Sequence, residues 1–157
     1  QLCNIRQLAD LHSNCISQQV VERFIVSGGM ADYLTLLRRE YKERRDIMAE
    51  ALDRYAPPGL SWNIPAGGYY LWCTLPEGVS AEALAQRAAA GGVAILPGMP
   101  SYLVTRKGEA HVRLNYTFPA KNRISEGIRL LCEAIRELLR LSKEAAWPAE
   151  NEINPIL

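Results

Sequence analysis

The apolar residues of this chain recur with two periods, one typical of amphipathic helices and one typical of strands. Helical spacing predicts four helices, over residues 17–27, 31–55, 81–90 and 122–141. The first helix is expected to end at Gly28-Gly29, because glycine readily leaves the helical conformation. Pro57 ends the second, because a proline cannot continue the helical hydrogen-bond ladder.

Four strands are predicted, over residues 60–64, 69–75, 93–96 and 110–118. The first and fourth show alternating apolar and polar residues, the second is rich in aromatic and β-forming residues, and the third is a short apolar run. The third is predicted to be buried. The fourth is the most regular, with Val112, Leu114, Tyr116 and Phe118 on one face and His111, Arg113, Asn115 and Thr117 on the other. Gly67-Gly68 and Gly98 are predicted to form turns beside these strands, and residues 99–109 a loop.

This order of elements predicts an α+β fold. A small mixed or antiparallel sheet, with helices packed on one side, follows a long interdomain helix. We expect an N-terminal helical segment over residues 1–30, a small domain over 31–141 and a poorly ordered tail over 142–157.

Composition and charge exclude several classes of function. Of 157 residues, 48% are hydrophobic and 22% charged, which is typical of a globular domain. The net charge of +1 argues against a nucleic-acid surface, and no stretch approaches the ~20 apolar residues of a membrane span. No secretory signal opens the chain, so we expect a cytoplasmic location without membrane contact. Because the chain begins with Gln1, we also expect that its natural beginning is missing.

Two kinds of catalytic group are lacking. The four cysteines and two histidines are scattered, which predicts free thiols and no metal site. The four lysines lie in polar segments, whereas a lysine that forms a Schiff base needs a desolvated pocket. Taken alone, the chain does not look like a complete enzyme.

Arg113 is the most informative single residue. It lies in the middle of a predicted strand, on the polar face, without an acidic residue at positions 111, 115 or 117. A guanidinium group on a rigid strand is suited to bidentate binding of a carboxylate. The pattern alone leaves a second interpretation open, in which Arg113 faces solvent or pairs with a carboxylate from a helix.

The charged run over residues 38–45 mixes five basic with two acidic residues. Interleaved charges of this kind are typical of a solvated or interdomain helix face. We therefore interpret the run as structural.

Six segments carry a resemblance to a known family: DLHSNCISQ (residues 10–18), YKERRD (41–46), PAGGYYLW (65–72), GVAILPG (92–98), HVRLNYT (111–117) and ISEGIRLL (124–131). In this order and spacing they resemble the C-terminal, small-domain part of class I/II aminotransferases of fold type I, which depend on pyridoxal phosphate (PLP). The subgroups they are most similar to are the 2-aminoadipate aminotransferases and the regulators of the MocR/GntR type. The resemblance covers nearly the whole chain, from residue 10 to residue 141.

The resemblance implies that substrate binding and cofactor attachment lie in different parts of the parent protein. It implies that Arg113 binds the α-carboxylate of an amino acid or 2-oxo acid, and that the PLP lysine lies upstream, on a large domain of the same parent chain. Ser13 and Asn14 match a segment that approaches the cofactor in the neighbouring subunit of a homodimer. It further implies a PLP-dependent transaminase as the parent protein, with this fragment inactive by itself.

Three functions remain open from the sequence. The chain is part of an aminotransferase, or it is the effector-sensing domain of a MocR-type regulator, which contacts DNA only through a missing N-terminal domain. The residues 113–116 favour the enzyme. A third interpretation, a stand-alone module for small-molecule binding or dimerisation, requires the chain to be complete.

Overall fold

The computed structural model describes residues 2–9, 14–103 and 108–146. The chain divides into two compact units, residues 1–40 and 41–157. The predicted domain boundaries remain predictions.

Unit 1 is helical. It contains α1 (Leu2–Ala9), α2 (Cys15–Val26) and the beginning of α3 (Gly29–Tyr55). Helix α2 confirms the first predicted helix, whereas α1 was not predicted. Helix α3 begins at Gly29, earlier than expected, because the break after α2 requires only Gly28, whose φ is +81°.

No side chain of α2 is buried. Its apolar residues recur at helical spacing, yet they are more than a third exposed: Ile16, Val20, Val21, Phe24, Ile25 and Val26. Helix α2 therefore presents apolar surface to its surroundings.

In its described residues, unit 2 contains the rest of α3, one sheet, two further α-helices and a short 3-10 helix, Met99–Ser101, inside the predicted loop. The sheet has the order β1-β2-β4-β3 and is antiparallel throughout. Its strands are β1 (Ser61–Asn63), β2 (Tyr70–Thr74), β3 (Leu96–Pro97) and β4 (His111–Asn115), and the helices are α4 (Ala81–Ala90) and α5 (Lys121–Ala146). The α+β fold class is confirmed.

Helices cover one face of this sheet. Leu71 and Cys73 of β2 and Val112 and Leu114 of β4 are buried. They belong to one apolar core with residues of all three helices: Met48 and Leu52 of α3, Leu84 and Ala88 of α4, and Ile128, Leu131 and Ile135 of α5. The predicted packing of helices on one side is therefore confirmed.

The predicted strand over residues 93–96 is wrong in position and burial. Strand β3 is Leu96–Pro97, and Leu96 is 39% exposed. The reason lies at the end of α4, where the backbone N–H of Val93 donates to the carbonyl of Ala88 at 2.9 Å. Because of this hydrogen bond, the N–H of Val93 is part of the helix terminus and is not available for pairing in the sheet.

Two predicted boundaries in the last third of the chain are also corrected. Strand β4 ends at Asn115, and Phe118, predicted to share a face with Val112 and Leu114, is 90% exposed while they are buried. Helix α5 continues to Ala146, so the beginning of the predicted poorly ordered tail is helical. The rest of that tail lies outside the described residues. No described helix combines the length and apolar character that crossing a membrane requires.

We predict that Cys73 and Cys132 react with thiol reagents only when the chain unfolds. Burial raises the pKa of Cys73 to about 12 and that of Cys132 to about 11, and the thiolate is the reactive form. In a variant with Cys3→Ser and Cys15→Ser, the reaction with Ellman's reagent at pH 8 should be slow without denaturant and fast in denaturant. Restoring Cys15, which is exposed, should restore a fast phase. Two fast thiols in the native double variant would contradict the described core.

Candidate functional site

Arg113 lies on the sheet face opposite the helix-packed core of unit 2, and it is half-buried. Its Cα is paired with Trp72 of β2 on one side and Leu96 of β3 on the other. The guanidinium carbon lies 4.1 Å from the centre of the Tyr70 ring. Among the described residues, no carboxylate forms an ion pair with Arg113. Its in-plane N–H donors therefore remain available for a carboxylate from outside these residues.

An aromatic cluster lies beside Arg113 on the same face. The rings of Trp72 and His111 stack with centroids 5.7 Å apart, and Tyr102 packs against them at 6.1 Å and 5.7 Å. Gly98 permits this arrangement, because a Cβ there would lie 2.8 Å from the Cβ of His111. The predicted turn glycine thus has a second role as a position of close approach.

Two arginines of α3 bind backbone carbonyls beside the sheet. One contacts the turn that precedes β2, and the other contacts the segment that follows β4. Arg45 donates from Nη1 to the carbonyl of Pro65 at 2.9 Å and from Nε and Nη2 to Asp46. Arg44 donates to the carbonyls of Thr117 and Pro119. These contacts place two side chains of the charged run against backbone within unit 2. This part of the run is therefore structural, as predicted, but it is neither a solvated nor an interdomain face.

The carboxylate of Asp46 is part of the same arrangement. Hydrogen bonds from Lys42 and Arg45 hold the pKa of Asp46 below its usual value, so it stays ionised beside the Arg45 guanidinium. A sequence signal for this role existed, since Arg44 and Arg45 interrupt the apolar stripe of α3.

Tyr116 fixes the turn that precedes β2. Its ring is buried, and its hydroxyl donates to the carbonyl of Gly68 at 2.8 Å. Burial raises the pKa of Tyr116, so its hydroxyl remains a donor across the neutral range. Gly68 has φ of +95°, a conformation that favours glycine, and the predicted turn is confirmed.

The side chain of Asn115 forms hydrogen bonds at the end of β4. Its Oδ1 accepts from the backbone N–H and from the hydroxyl of Thr117.

The other two predicted site residues lie in unit 1. Ser13 lies outside the described residues. Asn14 caps α2, where its Oδ1 accepts a hydrogen bond from the backbone N–H of Ser17 at 3.2 Å. This capping explains Asn14 locally, and a role toward a cofactor remains a prediction.

A cavity of about 560 Å³ lies in unit 2, and Arg113 is not among the residues that line it. It is lined mainly by apolar residues, including Met48, Val93, Ile95, Leu114, Ile124 and Ile128. Because Leu114 and Ile128 belong to the core on the helix side of the sheet, the cavity is separate from the Arg113 surface.

The described side chains do not fit covalent attachment of PLP. Lys42 forms an ion pair with Asp46, Lys121 forms one with Glu43, and Lys143 is exposed on α5. None of these three occupies a desolvated pocket of the kind that a Schiff-base lysine needs. Within the described ranges, no group of three or more metal-ligating side chains occurs either.

Comparison with known proteins shows similarity to aminotransferases and to transcriptional regulators. The chain is 35% identical over 135 residues to an aromatic-amino-acid aminotransferase of Thermococcus litoralis, covering 86% of this chain and 32% of that protein. It is 30% identical over 139 residues to an uncharacterized HTH-type transcriptional regulator of Bacillus subtilis, covering 88% of this chain and 28% of the regulator. No family model matches.

The fold of this chain is also similar to that of part of a solved aminotransferase structure. The crystal structure of α-aminoadipate aminotransferase from Thermus thermophilus, complexed with N-(5'-phosphopyridoxyl)-L-leucine, matches with a TM-score of 0.80 and 37% identity. The match covers 88% of this chain and 35% of that one. The chain thus spans about a third of the length of the relatives it matches.

We predict that Tyr116→Phe lowers the free energy of unfolding by about 0.5–1.5 kcal/mol, because it removes one hydrogen bond between the core and the turn. Urea denaturation of the 157-residue chain measures the change. Tyr69→Phe is the matched control, since Tyr69 is exposed and its hydroxyl makes no hydrogen bond to a described residue. An equal effect of the two substitutions would contradict the anchoring role of Tyr116.

Proposed function

We propose that this chain, a homologue of aminotransferases and of HTH-type regulators, is the C-terminal domain of a longer amino acid aminotransferase of fold type I that depends on PLP. In this proposal the domain binds the α-carboxylate of an amino acid or 2-oxo acid through Arg113. The lysine that carries PLP belongs to the remainder of the longer protein.

The observation that carries this proposal is the position of the Arg113 guanidinium and its lack of a carboxylate partner among the described residues. Its guanidinium lies against the Tyr70 ring, on the sheet face opposite the core of unit 2, and no described carboxylate neutralises it. A positive charge held on a rigid strand with free donors is prepared to bind an anion of planar shape. The carboxylate of an amino acid has this charge and shape.

The surface of unit 1 supports a place in a longer protein. Helix α2 exposes Val20, Val21 and Ile25, which together form contiguous apolar surface at helical spacing. The relatives are about three times as long as the aligned part of this chain. We propose that the large domain of the same polypeptide covers this surface, and that the longer protein forms a homodimer.

A second function has support from the regulator relative. An aminotransferase-like domain in an HTH-type regulator would bind an amino acid through the same arginine without turnover. The two functions differ upstream of Gln1, where the regulator has a DNA-binding module and the enzyme continues directly into its large domain. Sequencing the reading frame upstream of Gln1 distinguishes them, and DNA contact is proposed only for the regulator.

We predict that Arg113→Ala in the longer protein weakens carboxylate binding by about 100-fold or more, since two charge-assisted hydrogen bonds are lost. The probe is 4-methylpentanoate, which has the carboxylate and side chain of leucine but no amino group. Its dissociation constant, measured by calorimetry, reports on an enzyme and on a regulator alike. The PLP content of the purified variant should not change.

Arg129→Ala is the matched control, because it removes the same charge from α5, where Arg129 is bonded to Glu126 and Glu133. It should leave the dissociation constant within about 2-fold, as is usual for a surface substitution outside the binding site. An Arg113→Ala variant that binds the probe as well as the unaltered protein would refute the proposed function.

We predict that the 157-residue chain mixed with PLP develops no protein-dependent aldimine band in the visible absorbance spectrum. The described lysines are exposed or ion-paired, and none has the surroundings that would favour a stable Schiff base. Borohydride reduction followed by mass spectrometry is the second measurement. A stoichiometric adduct on one lysine would contradict the assignment of PLP attachment to another part of the protein.

A further inference from the structure

We propose that Tyr70 is a positioning residue, which orients the Arg113 guanidinium for the carboxylate by holding it on the face of its ring. This inference rests on the proposed function of Arg113. It adds a role for an aromatic side chain that the sequence pattern predicts only as part of a strand.

The direction of the Arg113 side chain is the first observation. In the register of β2 and β4, Arg113 is directly opposite Trp72, and Tyr70 is opposite Asn115. Residues on such a diagonal have Cα atoms ~7–8 Å apart. The guanidinium carbon nevertheless lies 4.1 Å from the centre of the Tyr70 ring, so the side chain leans diagonally toward the beginning of β2.

The opposite direction is occupied. Trp72 leans the other way and stacks on His111, and Tyr102 packs against both rings. These three rings fill the face on the His111 side of Arg113. The contact with Tyr70 therefore determines where the guanidinium lies.

The Tyr70 ring is itself held in place by neighbouring aromatic side chains. Tyr69 packs edge-to-face against Tyr70 at 6.0 Å, and Tyr41 of α3 packs edge-to-face against Tyr69 at 5.7 Å. The backbone of the same turn is tied to the buried Tyr116, whose N–H donates to the carbonyl of Tyr69. A series of contacts thus connects the Tyr70 ring, against which Arg113 packs, to helix α3 and to the core.

The chemistry of this contact suits an anion site better than an ion pair would. An aspartate or glutamate partner would fix the guanidinium but would occupy its N–H donors and cancel its charge. An aromatic ring attracts the cation through its negative face and leaves the in-plane donors unused. Tyr70 can therefore restrict the motion of Arg113 without competing with the carboxylate.

The experiment varies the electrostatics of the ring at nearly constant shape. Phenylalanine, its monofluoro, difluoro and trifluoro derivatives, and leucine are introduced at position 70 of the longer protein. Fluorination withdraws electron density from the ring face, so it weakens a cation–π contact stepwise. The dissociation constant for 4-methylpentanoate is measured for each variant, with PLP content and thermal melting as controls.

We expect Tyr70→Phe to bind the probe within about 3-fold of the unaltered protein, because the ring is kept. The fluorinated series should weaken binding progressively, and Tyr70→Leu should weaken it by about 5- to 30-fold, the range for loss of a partly desolvated cation–π contact. A flat fluorinated series would overturn the inference, and so would equal binding by the Phe and Leu variants. If Tyr70→Leu fails to fold, the fluorinated series decides alone.

Arg113→Ala in the same assay separates the two proposals. If it abolishes binding of the probe while the Tyr70 series is flat, the positioning role fails and the proposed function stands. If Arg113→Ala has no effect, or the unaltered protein does not bind the probe, the proposed function fails and the positioning role fails with it.

Discussion

The antiparallel register of β2 and β4 is the constraint on which the rest of unit 2 depends. Side chains alternate between the two faces of a strand, so this register places Leu71 and Leu114 in the core and Trp72 and Arg113 on the opposite face. A slip of one residue would exchange the faces, burying the arginine charge and exposing the apolar residues. The stability of the core therefore enforces the position of the candidate site.

Helix α3 connects that register to the turns around it. Arg44 and Arg45 bond to backbone carbonyls beyond the strand ends, and Tyr116 bonds to the turn before β2 from within the core. Such hydrogen bonds across elements restrict the backbone from which Tyr70 and Arg113 extend. A binding group held by a rigid scaffold loses less entropy when its ligand arrives.

Much of this arrangement could be predicted, and the failures have identifiable causes. The alternation through Val112 and Leu114 predicted the buried face of β4, and the same alternation placed Arg113 opposite to it. The pattern failed for Phe118, because the strand ends where the Asn115 side chain bonds to Thr117 and turns the chain. It also failed for β3, where the last turn of α4 takes the N–H of Val93. In both places a local hydrogen bond overrides the periodicity.

The sequence by itself determined the fold class, the order of the helices and strands from α2 to α5 and the face on which Arg113 lies, because these follow from the hydrophobic pattern along the chain. Its spaced motifs also indicated the family. Only the tertiary structure decided that Arg113 lies on Tyr70 and not on Trp72, its direct partner in the register. It likewise decided that Arg44 and Arg45 bond to distant turns. Such contacts depend on side-chain direction between residues far apart in the chain, and a one-dimensional pattern contains no information about that direction.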